Sequence, residues 1–96
     1  MIDETDPRWQ RMAEKAAGYR IPDYMIPGLL RYTLNHIKPG DFLCAVLKND
    51  LRQACERADD VNREILFQYV SFLYNEAPGG CWGSEKNFNA WIGEQE

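Results

Sequence analysis

Acyl-transfer chemistry of the Ser-His-Asp or Cys-His kind needs a base to take the nucleophile's proton, and this chain offers one imidazole, His36. His36 falls at the end of a helical pattern, where a positive charge suits the negative end of the helix dipole. Nothing in the local sequence pairs it with any of the three cysteines, Cys44, Cys55 and Cys81. Those cysteines are spaced by eleven and twenty-six residues, whereas zinc sites use short pairs such as Cys-x-x-Cys. Asp59 and Asp60 are adjacent, so they point to different sides of a helix and serve as caps before they serve as ligands. No catalytic residue, no metal site and no cofactor is expected.

Two segments have residue types suited to binding. Gly79-Gly80-Cys81-Trp82-Gly83-Ser84 feeds a helix start with Lys86 in its first turn. Backbone N–H groups at such a start can hold an anion, but the spacing matches neither the dinucleotide nor the P-loop signature. Either the glycines permit a tight turn while Trp82 plugs the core, or Trp82 presents a stacking face beside Gly83, Ser84 and Lys86. The second segment is Tyr24-Met25-Ile26, pinned between Pro22 and Pro27. It is either a rigid connector packed on the core or a recognition patch made by Tyr24 and Met25. Arg57, Arg63 and Glu64 read as a solvated face.

The elements that position these residues are helical. Residues 1–5 read as a frayed tail, ahead of one domain over 6–96. Asp6-Pro7 starts a first helix over 7–17, since Asp caps free N–H groups and Pro at the first position loses nothing; Gly18 is placed to end it. Pro27 opens a second, with Leu30, Thr33, Leu34 and Ile37 on one face. Lys38-Pro39-Gly40-Asp41 breaks the pattern and supplies the next cap. Leu43, Val46, Leu47, Leu51, Ala54, Cys55 and Ala58 then keep helical period, with Asn49-Asp50 predicting a division into 41–48 and 49–58. Asp59-Asp60 opens the strongest pattern, in which Val61, Ile65, Leu66, Tyr69, Val70, Leu73 and Tyr74 form a wide apolar face. This segment, running to about Asn75, is expected to be the central core helix. Ser84 caps a last helix over 85–92, with Phe88, Trp91 and Ile92 turned inward. The fold class expected is all-α, a bundle of five or six short helices.

Composition narrows the function classes. Fifteen acids against eleven Lys and Arg give a net charge of −4, which disfavours nucleic acid as a partner. The same charge is too mild and too mixed in sign for a mimic of a polyanion. Nowhere do eighteen apolar residues run together, so no membrane span is expected. The acidic start, Met1 to Pro7, resembles neither a secretory signal nor a transit peptide. An odd number of cysteines, with Cys44 and Cys55 in helical pattern, points to free thiols and a reducing compartment. A chain of 96 residues builds a thin core, so surplus apolar surface is expected to be hidden in a partner or a homodimer.

Several motifs in order carry a resemblance. They are Ile21-Pro22-Asp23-Tyr24-Met25, Pro39-Gly40-Asp41-Phe42-Leu43, Ala45 to Leu51, Arg57-Ala58-Asp59, Phe72 to Pro78, and Cys81-Trp82-Gly83-Ser84. Over roughly residues 20 to 92 the chain resembles a family of small uncharacterised proteins encoded by tailed phages and prophages of Gram-negative bacteria. The resemblance implies a phage product acting in the bacterial cytoplasm and brings no functional residues with it. Small phage proteins without enzyme signatures often modulate host machinery, inhibitors of CRISPR among them, which is analogy of gene context. The function expected is therefore a non-enzymatic binding protein directed at a host or defence-system protein. The alternative is a small-molecule binder that sequesters a nucleotide through the 79–86 loop.

Overall fold

The computed structural model describes residues 1–93; the last three residues of the domain expected over 6–96 lie outside them. Helix α1, Pro7–Gly18, starts as the sequence dictates, the Asp6 carboxylate accepting from the Arg8 N–H at 2.8 Å. Trp9 and Ala16 are its buried positions. Its end differs from expectation. Gly18 stays helical, and Arg20 instead takes the left-handed conformation, φ 71°. The Arg20 and Ile21 N–H groups bond back to Ala17 and Ala16, a Schellman closure that seats Ile21 in the core beside Ala16. Within the segment read as a frayed tail, Ile2 exchanges two hydrogen bonds with the Asn35 amide, 2.8 and 2.7 Å.

After Pro22, which cannot donate to a helix, Asp23–Met25 is a single 3₁₀ turn. Helix α2, Ile26–Asn35, begins one residue before Pro27 and buries Leu29, Leu30, Tyr32 and Thr33. It stops short of Ile37, because His36 turns left-handed at φ 63°. Helices α3, Asp41–Leu47, and α4, Leu51–Arg57, are separate. Asn49, φ 64°, closes the first, and the Asp50 carboxylate caps the second by accepting from the Gln53 N–H at 3.1 Å.

The strongest sequence pattern is not one helix. It divides into α5, Asp60–Glu64, and α6, Leu66–Glu76, at Ile65, whose backbone leaves helical geometry at φ −114° and ψ 20°. Asn62, on α5, is buried: Asp59 accepts from its backbone N–H at 2.8 Å, and Tyr69 donates to its Oδ1 at 2.6 Å across the break. Helix α7, Glu85–Trp91, follows a second 3₁₀ turn at Gly79–Cys81. Among the described residues the fold is all-α, with seven α-helices where five or six were expected; the break at Ile65 accounts for the seventh.

Helix α3 is the central element, not the 59–75 segment. Its residues Phe42 to Leu47 are all buried, the mark of a helix enclosed on every side. It packs on α4 and α7, while α1 packs on α2 and α6. Stacked Tyr32 and Phe88 (5.5 Å) and edge-on Phe42 and Tyr69 (5.3 Å) join the layers. The molecule is only 20 Å thick, about two helix diameters, so the outer helices keep a face in solvent.

Candidate functional site

The residues singled out for binding serve mainly as structural ties. Tyr24 is 55% exposed, and its hydroxyl donates to Asp59 Oδ2 at 2.7 Å, fastening the 3₁₀ turn to the head of α5. Met25 is half-buried against the core. Trp82 is also half-buried, packed on the core, and its carbonyl accepts from the Asn87 side chain at 3.0 Å. Gly83, φ 103°, donates its N–H to Leu47 O at 2.9 Å, which closes α3. Ser84 Oγ accepts from the Asn87 N–H at 3.0 Å. Lys86 is exposed. Two of the loop's backbone donors, Gly83 and Asn87, are thus engaged within the protein.

His36, Cys44 and Cys81 are held by packing and hydrogen bonds as well. The His36 ring stacks on Trp91 at 4.1 Å, with Nδ1 2.7 Å from Trp91 O. Trp91 Nε1 in turn donates to Tyr32 O at 2.7 Å, one of the carbonyls at the end of α2. The imidazole is a clasp between α2 and α7, a role beyond the dipole partner read from sequence. Burial raises the Cys44 thiol and pushes the Cys81 thiol up to about 11, and Cys44 donates to Pro39 O at 3.3 Å. Both stay protonated at neutral pH, whereas the thiolate is the nucleophile and the ligand. Among the described residues no group of three or more His, Cys, Asp or Glu side chains is placed to hold a metal. None of the helices there is long and apolar enough to cross a membrane.

A surface that sequence reasoning missed lies on α6. Phe67 is 74% exposed, Tyr74 78% and Val70 41%, and across a shallow groove Leu51 of α4 is 68% exposed. Val70 and Leu51 line that groove with Leu66, Val46 and Ala54, and the polar Asn49 and Asp50 border it too. Spacings of three and four along one helix put Phe67, Val70 and Tyr74 on one face. This corrects the inward placement of Val70, Tyr74 and Leu51; Val61 on α5 is exposed too. No charged side chain occurs from Leu66 to Asn75. The signal was in the composition. Seven of the nine residues from Leu66 to Leu73 and Tyr74 are apolar or aromatic, more than a helix of a two-layer fold can turn inward.

The patch is of functional size. Counting about 175 Å² for each ring, Phe67 and Tyr74 expose on the order of 250 Å², and Leu51 with Val70 raise this to roughly 400 Å². The largest apolar patch of a monomer is of that order, and is often where it works. A cationic cleft at Arg8, Arg11 and Lys15 is weaker, because Asp6 answers Arg8 at 2.9 Å and Glu76 answers Lys15 at 3.2 Å.

No family model, no curated protein and no solved structure matches this chain.

Proposed function

We propose that this chain is a phage-encoded, non-enzymatic binding protein that modulates a host or defence-system protein in the bacterial cytoplasm by direct contact. One observation carries the contact: the uncharged stripe of Phe67, Val70 and Tyr74, continued by Leu51, stands in solvent on a chain with little core to spare. Exposed aromatic anchors beside an apolar groove are what a protein–protein hot spot uses. The phage origin and the host target rest on the resemblance of residues 20 to 92 and on analogy of gene context. The nucleotide alternative loses ground, because the Gly83 and Asn87 N–H groups already have partners within the protein.

The test is capture from bacterial lysate by the wild-type chain and by a variant carrying Phe67→Glu and Tyr74→Glu. Enrichment of a host protein by the wild type, lost in the variant with its helical circular dichroism unchanged, supports the proposal. Equal capture by both, or no capture under several conditions, counts against it.

A further inference from the structure

We infer that the α1–α2 pair carries a second docking surface, independent of α6, which takes an acidic peptide segment anchored by one apolar side chain. The charge of the chain is segregated. Residues 7–38, which hold α1 and α2, carry six of the eleven Lys and Arg residues but two of the fifteen acids. That is a surplus of four positive charges on a chain whose total is −4, so the remainder carries −8. Helices α1 and α2 pack on each other, which gathers the surplus in one helix pair. Spacings of three and four put Arg8, Arg11 and Lys15 on one side of α1. With Met12 and with Leu34 of α2 they line a cleft of about 230 Å³. Among the described residues no acid lines it.

The lining dictates the class of occupant. Met12 and Leu34 are apolar and half-buried, and three cations rim them. The space exceeds the roughly 150 Å³ that admits a benzene ring within a protein, so one apolar side chain fits between the cations. Asp6 accepts from Arg8 at 3.1 and 2.9 Å, and Glu76 pairs with Lys15 at 3.2 Å. The Arg8 side chain is nonetheless 63% exposed and that of Lys15 49%; such surface pairs contribute about 0–1 kcal/mol, and the carboxylates of a partner can take their place. Arg11 is in no ion pair among the described residues, which leaves its guanidinium donors for a carboxylate. A nucleic acid matches the cleft less well. Its backbone has nothing to set on the apolar floor, no aromatic ring lines the cleft for a base to stack on, and the −8 remainder repels a long polyanion.

Fluorescence anisotropy of the full chain with a labelled short peptide, glutamate and aspartate on either side of one leucine, tests the assignment. The expected dissociation constant is ~10–100 µM at about 50 mM salt, weakening several-fold at about 200 mM. Arg11→Glu raises the constant at least about tenfold, and the neutral Arg11→Gln, which suits a helix, lies between. The Arg11 side chain is exposed, and unchanged helical circular dichroism checks that each variant is folded. Replacing the peptide's leucine by serine weakens binding at least about fivefold. Arg52→Glu on α4, a charge reversal of equal size, leaves the affinity unchanged. So does Phe67→Glu with Tyr74→Glu, which separates failure of this surface from failure of the α6 stripe. No binding, binding indifferent to Arg11→Glu and Arg11→Gln, an equal loss with Arg52→Glu, or equal affinity for the serine peptide overturns the inference. A single-stranded oligonucleotide that binds more tightly than the peptide, and is lost with Arg11→Glu, would overturn it too and assign the face to nucleic acid.

Discussion

The Tyr69 hydroxyl donates to Asn62 Oδ1 at 2.6 Å, and both side chains are buried. That bond couples the short α5 to the middle of α6 across the break at Ile65. Removing one partner strands the other: Tyr69→Phe is expected to lower unfolding free energy by about 1–3 kcal/mol. Adding Asn62→Leu to Tyr69→Phe should recover part of the loss, since two apolar groups leave nothing unsatisfied. Urea titrations of the two single variants and the double variant measure the coupling. Strict additivity would mean that the bond contributes nothing.

Gly18 offers a cleaner test of a helix end. A Cβ built there meets no atom within 4 Å, and the left-handed residue is Arg20, two positions on. Gly18→Ala should therefore raise stability by about 0.5–1 kcal/mol. A loss on thermal or urea unfolding would place the left-handed turn at Gly18 after all.

Thr33 Oγ1 is the one buried side-chain oxygen among the described residues without a hydrogen-bond partner. Thr33→Val keeps the branched shape and removes the stranded hydroxyl. It is expected to stabilise the fold by about 1 kcal/mol. An unchanged or lower urea midpoint would show that the hydroxyl is satisfied in solution.

Where the sequence was read correctly, the signals were local and had a direct mechanism. Asp6-Pro7 and Ser84 each cap the helix they were expected to open, because an N-cap needs only a short acceptor two or three residues from a free N–H; Asp41, expected as the cap of α3, is instead its first residue, with Gly40 at the N-cap. One group of misreadings concerned what a helix faces. Val61, Val70 and Tyr74 share the apolar pattern of the 59–75 segment, yet periodicity specifies an apolar face without naming its neighbour. The break at Ile65 escaped notice because the apolar period of Val61, Ile65, Leu66 and Tyr69 runs straight through it. The expected sites at Tyr24 and Trp82 were chosen for residue type. Asp59, which engages Tyr24, and the core that Trp82 packs on come from elsewhere in the chain.

Stability should have a plateau bounded at both ends of the pH scale. The Arg8 side chain and backbone N–H hold the Asp6 carboxyl down to about 2, and the Asn62 N–H with the Tyr24 hydroxyl lowers Asp59. Carboxyls lowered by folding add stability that is complete above the ordinary carboxylate range, about 4, and is lost as pH falls toward 2. Burial raises Tyr32, Tyr69 and the Cys81 thiol, the last from 9.0 to about 11. Groups that hold their protons more tightly when folded add stability below the unfolded value, and lose it as pH rises past it. Urea midpoints should be level from about pH 5 to about pH 8 and fall on either side. A midpoint that rises on acidification below about pH 4 would contradict these assignments.

The most direct test of the α6 surface is side-chain footprinting with hydroxyl radicals, read by mass spectrometry. In the dilute purified chain, Phe67 and Tyr74 should oxidise readily. Once the captured host protein is added, protection should appear at Phe67, Tyr74 and Leu51 and leave Tyr24, Met25 and Trp82 unchanged. Protection of Tyr24 or Trp82 with Phe67 and Tyr74 still oxidised would contradict docking through this stripe.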